Sequence, residues 1–274
     1  MNGMSRLLEN AAFELIPMKT TLEKAQTLPT GTTVSITASP VKGMGATVEL
    51  AEELVAMGLD VIPHVSARLT KSKAELEGIV GRLNDIGVSR IFVVGGDADD
   101  PGDFFDAMAL IRHLDTLDHP FTQIGVTGYP EGHPNIADDL LIQALVEKQP
   151  FASSVTTQMC FDVEAIRSWI VRIRSLGIDL PVVIGIPGVT ELTKLIGISA
   201  RIGVGTSLRF LSKNRSLATK LLRPYTPDEL VDALAELADD PDLGVSGLHI
   251  YTFNQVETTL EWYLDRRTAV TGGP

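Results

Sequence analysis

Short apolar runs of seven or eight residues alternate along the chain with longer stretches whose apolar positions recur every three or four residues. The runs are AAFELIP (11–17), TTVSITA (32–38), DVIPHVS (60–66), RIFVVGG (90–96), TQIGVTGY (122–129), SVTTQMCF (154–161), PVVIGIP (181–187) and GLHIYTF (247–253). Most are rich in Val and Ile and bounded by Gly or Pro, the pattern of strands buried on both faces of a parallel sheet. Between them lie amphipathic stretches such as TVELAEELVAMG, KAELEGIVGRLNDIG, FFDAMALIRHLDTL, ADDLLIQALVEKQ, VEAIRSWIVRIRSLG and TELTKLIGISARIG. Several close on glycine, a usual helix stop. A long connection before the last strand includes TPDELVDALAELADD (226–240), and VETTLEWYLDRR reads as a closing helix followed by a frayed TAVTGGP.

Eight strands with interleaved helices in 274 residues predict an α/β fold, a (β/α)8 TIM barrel formed as a single domain over 1–274. Extra helices are expected at about 205–240, before the last strand. A doubly wound open sheet is the alternative, but no G-x-G-x-x-G follows the first strand. No low-complexity linker divides the chain.

Composition narrows the partners. The 35 acidic residues against 23 basic ones give a formal charge of −12, which argues against nucleic acid or an anionic membrane surface. The single cysteine, Cys160, permits no intrachain disulfide and no thiolate cluster for zinc, as suits a reducing cytoplasm. Neither a signal-peptide core nor an apolar run of membrane-spanning length is expected. These features predict a cytoplasmic protein and do not specify its oligomeric state.

In barrels of this class the chemistry collects at the C-terminal ends of the strands. The polar residues late in each run are Glu14, Thr37, His64, Asp97, Tyr129, Gln158, His249 and Tyr251. Glu14 sits in FELIPMKT between Phe13 and Leu15, and Pro17 cannot continue a ladder because it has no N–H to donate. A carboxylate in that setting needs a polar cavity to point into. Gln158, late in an apolar run, needs a hydrogen-bond partner if buried. His249 and Tyr251 alternate with Leu248 and Ile250, as packing residues would. Asp97, Asp99, Asp100 and Asp103 follow no calcium-loop spacing, so no metal site is expected. Arg201, Arg209, Lys213 and Arg215 form a basic cluster that suits either a solvated helix face or an anionic group.

The same stretches resemble the methylenetetrahydrofolate reductases. FELIPMKT is similar to that family's first-strand F-E-F-x-P-P-K/R-T, VSITA to its V-S-V-T, PHVSAR to its P-H-L-T-C and GGDADDPG to its R-G-D-x-P. IGVTGYPEGHP resembles its I-x-V-A-x-Y-P-E-x-H-P, TTQMCFDVE its I-T-Q-x-F-F-D, and LHIYTFNQ its F-H-F-Y-T-L-N. The matches fall in chain order from Phe13 to Gln255. The resemblance implies reduction of a folate-borne methylene group with hydride from NAD(P)H, relayed in much of the family through FAD. It implies that Glu14 is the general acid, that Asp97 and Gln158 hold the pterin edge, and that Thr37, His64, Tyr129 and His133 line the substrate and cofactor pocket.

This chain departs from the family where the flavin is held. The arginine before G-D is Gly95, and the helix D-L-L-x-x-L-K-x-K becomes DLLIQALVEK. Asp139 is kept, but the basic positions fall on Leu145, Val146 or Glu147, with Lys148 nearby. A pyrophosphate needs arginine, lysine or helix N–H groups. The expectation is therefore a flavin-independent member that takes hydride from NADH directly. An FAD-dependent reductase and a folate-dependent methyltransferase or demethylase on the same barrel are the alternatives.

Overall fold

The structure, a computed structural model, describes residues 1–202 and 224–272. Eight parallel strands close in chain order into a barrel, with helices in the connections. The strands are β1 (Ala11–Leu15), β2 (Thr33–Ile36), β3 (Asp60–Ser66), β4 (Arg90–Val94), β5 (Gln123–Gly128), β6 (Ser154–Thr157), β7 (Val182–Pro187) and β8 (Val245–Tyr251). The helices are α1 (Gly3–Glu9), α2 (Thr21–Ala25), α3 (Gly43–Ala56), α4 (Lys73–Asp85), α5 (Ala107–Leu114), α6 (Asp138–Lys148), α7 (Val163–Ser175), α8 (Leu192–Ile202), α9 (Asp228–Asp239) and α10 (Val256–Thr271). The (β/α)8 class expected from the alternating pattern is the one observed. Of the extra helices expected at about 205–240, α9 is present; 203–223, with Arg209, Lys213 and Arg215, lie outside the described residues, as does the side chain of Arg201.

The residues group into two compact units. One holds Ala12–Thr127 and Ala144–Val155; the other holds Met1–Ala11, Gly128–Gln143 and the chain from Thr156 onward. In the first, strand register sorts the side chains into two faces. Phe13 pairs with Val34, Leu15 with Ile36, Val34 with Val61, Val65 with Val93 and Val93 with Val126. These residues are buried and form a continuous apolar layer. The opposite face carries Glu14, Ser35, Ile62, His64, Phe92 and Gly125. A Glu14 carboxylate oxygen and a His64 ring nitrogen lie within 4.8 Å although β2 separates their strands. Only the concave side of a curved sheet brings such residues together, so this is the inner face.

The second unit repeats the arrangement. Ile184 with Leu248, and Ile186 with Ile250, form the fully buried outer layer of β7 and β8, while Gly185 with His249 and Pro187 with Tyr251 face inward. Gly185 has to be small: a Cβ there would lie 2.4 Å from the Thr157 carbonyl oxygen and 2.8 Å from the Tyr251 ring. The space lets Tyr251 reach across β7 and donate from its hydroxyl to that carbonyl at 3.2 Å.

Several element ends differ from the sequence pattern for local reasons. β1 stops at Leu15, and Thr21 fixes the following turn by donating to the Ile16 carbonyl at 2.6 Å and accepting from the Met18 N–H at 3.1 Å. β6 ends at Thr157, well short of Phe161, because the Gln158 side-chain oxygen takes the Met159 N–H at 2.9 Å and so competes with the ladder. Met159 and Phe161 instead join Leu195 in a buried apolar cluster. At the C-terminal side α10 continues through TAVT to Thr271 and is capped by Gly272 at φ 63°. Helix α1 is absent from the sequence pattern because two adjacent leucines, Leu7 and Leu8, give no visible period. It is held in its own unit by the Tyr263 hydroxyl, which donates to the Leu8 carbonyl at 2.8 Å.

Candidate active site

In the first unit the expected residues stand at the C-terminal ends of their strands. Glu14 is 6% exposed on the inner face of β1, and His64 is 6% exposed on β3. The His64 ring meets Phe92 edge-on, with centroids 4.8 Å apart. Ser35, opposite Glu14 in register, carries a buried hydroxyl with no hydrogen-bond partner. A buried polar atom left unpaired is costly, and at the inner end of a barrel strand it is a group a ligand can satisfy. Thr37 is half-buried just beyond β2; its N–H donates to the Leu15 carbonyl at 3.0 Å, and its own carbonyl accepts from the Thr47 hydroxyl. Asp97 is exposed beyond β4, after Gly96 at φ 85°.

In the second unit, Tyr129 and His133 meet edge-on with centroids 5.3 Å apart. Their loop is folded tightly: Gly132, at φ 79°, donates to the Tyr129 carbonyl at 3.1 Å, and the Asn135 N–H donates to His133 Nδ1 at 3.2 Å. Tyr129 also borders a cavity of about 230 Å³ walled by Leu141, Ile142 and Trp169, with Asp138 and Arg172 at its polar side. Gln158 is half-buried; its N–H donates to the Gly128 carbonyl at 2.8 Å while its side-chain oxygen is held by Met159. The hydrogen bond that burial of this amide required is thus in place, and its NH₂ is the end suited to a ligand. His249, 5% exposed, packs edge-on against Tyr251 at 4.8 Å.

Sequence reasoning passed over Ser35, Thr157 and the corner after β8. Thr157 accepts from the Gly185 N–H through its hydroxyl and from Tyr251 through its carbonyl, tying β6 to β7 and β8. The glycine inside PVVIGIP was the available signal, since a glycine within a strand marks close approach. Phe253 and Asn254 adopt φ of 50° and 58°, a left-handed pair costing roughly 1–3 kcal/mol each. Hydrogen bonds from Lys194 to the Phe253 carbonyl and from the Asn254 N–H to the Thr252 hydroxyl hold the corner. Nothing in YTFNQ as a string signals that conformation.

The positions that the resemblance aligns with flavin contacts fall on and around α6. Lys148 is buried at the end of α6, and burial pulls its ammonium below the usual lysine range, opposed in part by Asp106 and Glu147. Leu145 is buried and Val146 exposed, so neither supplies a donor. Asp139 is paired with Arg172 at 3.1 Å.

The C-terminal ends of the strands are where enzymes with a (β/α)8 barrel carry their active sites. The family model described as methylenetetrahydrofolate reductase matches residues 14–265, and the chain belongs to that family. It is 28% identical over 159 residues to methylenetetrahydrofolate reductase 2 of Saccharomyces cerevisiae, covering 56% of this chain and 26% of that protein. It is 24% identical over 252 residues to methylenetetrahydrofolate reductase (NADH) 1 of Arabidopsis thaliana, covering 77% of this chain and 39% of that one. The chain therefore spans well under half the length of these relatives. With 5,10-methylenetetrahydrofolate reductase of Salmonella typhimurium it shares 27% identity over 215 residues, 73% of this chain and 68% of the other. A solved Clostridium thermocellum protein, described as binding two copies of 5-methyl-5,6,7,8-tetrahydrofolic acid, superposes with a TM-score of 0.64 over 98% of this chain and 96% of its own. At 11% identity that likeness is one of fold. Among the described residues no helix is long and apolar enough to cross a membrane.

Proposed function

We propose that the chain, acting as one barrel domain in the cytoplasm, reduces 5,10-methylenetetrahydrofolate to 5-methyltetrahydrofolate with hydride taken directly from NADH. The observation that carries the reading is Glu14, a carboxyl on the inner face of β1 in a family whose matched region begins at that residue. In the proposed reaction Glu14 protonates the departing nitrogen of the five-membered ring. The carbon–nitrogen bond breaks, the methylene carbon becomes an iminium, and hydride from the nicotinamide adds to it. One NADH and one proton are consumed, and NAD⁺ leaves with the methyl-folate.

Asp97 and the Gln158 NH₂ bind the pterin edge, since a carboxylate accepts from its N–H groups and an amide donates to its acceptor. Thr37 lies on the folate side, and His64, Tyr129 and His133 supply flat walls for the nicotinamide. The name of the Arabidopsis relative supports NADH as the donor.

FAD does not fit the residues present. Gly95 stands where the resemblance calls for arginine, Lys148 is buried, and the chain carries a charge of −12. A pyrophosphate at those positions would meet neither the arginine nor the exposed lysine that the resemblance calls for. The purified protein is expected to be colourless and to oxidise NADH when methylenetetrahydrofolate is added without flavin. Stoichiometric bound flavin in the absorption spectrum, or turnover only on adding FAD, would refute the flavin-free reading.

A further inference from the structure

Asp97 is exposed and follows a glycine, so β4 alone does not determine where its carboxylate points. What fixes its loop comes from the turn after β3. Residues 95–105 lie along 66–73 in close contact: a Cβ on Gly96 would fall 2.2 Å from the Ser66 side-chain hydroxyl, and one on Gly102 would fall 2.0 Å from the Lys71 main-chain carbonyl. The Asp103 N–H donates to that carbonyl at 3.1 Å, and the Asp103 side chain accepts from the Lys73 N–H at 3.0 Å.

Arg68 is at the centre of this arrangement. Its backbone N–H donates to the Gly95 carbonyl at 2.9 Å, and its Nε donates to the Ala98 carbonyl at 2.6 Å. Its two Nη groups reach the Asp99 carbonyl at 3.3 Å and the Phe105 carbonyl at 3.4 Å. The guanidinium lies over the Phe105 ring, 5.1 Å from its centroid. The chain is thus gripped on both sides of Asp97, two residues before and one residue after it. The bond to Gly95 comes from the main chain of residue 68; the contacts after Asp97 need arginine, because a rigid planar fork serves several carbonyls and stacks on a ring at once, whereas a lysine ammonium is a single point.

We propose that Arg68 is the positioning residue for Asp97: it touches no substrate and sets the folate affinity by holding the Gly95–Phe105 loop in one conformation. This rests on the folate role given to Asp97 above. It also assigns the guanidinium to main-chain carbonyls.

The test is a double-mutant cycle on the full chain, with Arg68→Ala, Asp97→Ala and the double variant titrated with 5-methyltetrahydrofolate, and with KM for NADH and thermal midpoints measured in parallel. Arg68→Ala should weaken folate binding by about tenfold, within the range of coupling between residues that act through one another. The double variant should match Asp97→Ala to within about twofold, because a misplaced carboxylate matters only while the carboxylate is present. KM for NADH should not move, and Arg68→Lys, retained in case the alanine variant folds poorly, should fall between wild type and Arg68→Ala. Penalties that multiply in the double variant, a rise in KM for NADH, or wild-type folate affinity in Arg68→Ala while Asp97→Ala is impaired would each overturn the positioning role. Wild-type affinity in Asp97→Ala would overturn the folate reading itself, and the positioning role with it.

Discussion

Glu14→Gln is expected to lower kcat by roughly 10²–10⁴-fold, the usual share of general acid–base catalysis, while folate affinity stays within a few-fold of wild type. The substitution keeps the shape of the side chain and a hydrogen-bonding head but removes the transferable proton. Hydride cannot attack the methylene carbon until the ring has opened, and ring opening needs a proton on the departing nitrogen. Glu14 is 6% exposed on the inner face of β1, where bulk water is a poor proton donor. Its place is set by the apolar neighbours Phe13 and Leu15, both fully buried in the outer layer, and by the turn that Thr21 holds just beyond. Steady-state kinetics beside direct folate titration separates the two quantities. Turnover within a few-fold of wild type would remove Glu14 from the mechanism.

Asp97→Ala is expected to weaken folate binding by about 1.5–3 kcal/mol, the range for a hydrogen bond to a charged group, which is roughly 10- to 150-fold. NADH affinity should hardly change, because the carboxylate is assigned to the pterin. Gln158→Ala should act in the same direction through loss of the amide donors; the half of its side chain already bound to Met159 also shapes the end of β6, so part of the effect will be structural. If both variants bind 5-methyltetrahydrofolate as wild type does, the pterin assignment is wrong.

The barrel was legible because its signal is repeated: eight Val/Ile-rich runs bounded by Gly or Pro, each followed by a helical period. Glu14 and His64 were legible for a related reason, since a buried strand that carries one ionisable residue near its end has few other uses for it. What the string hid is set by contacts distant in sequence. Ser35 shares its inner-face position with Glu14 only through strand register. Tyr251 looked like packing, and the structure adds a bond to the Thr157 carbonyl that depends on the missing side chain of Gly185. Arg68 read as a residue inside a motif, whereas its carbonyl partners lie some thirty residues on. The departures at Gly95 and Leu145 were visible from the start, but the burial of Lys148 required the fold.

Direct hydride transfer is tested most sharply by the fate of the hydrogen itself. NADH carrying deuterium at both C4 positions is supplied with methylenetetrahydrofolate and no flavin, in ordinary water, and the methyl-folate product is weighed by mass spectrometry. A single direct transfer places one deuterium in the methyl group of every product molecule. A flavin relay passes the hydrogen through an N–H that exchanges with solvent, which dilutes the label. The account predicts one deuterium per methyl group; product whose methyl group carries no deuterium, or no product at all, would contradict it.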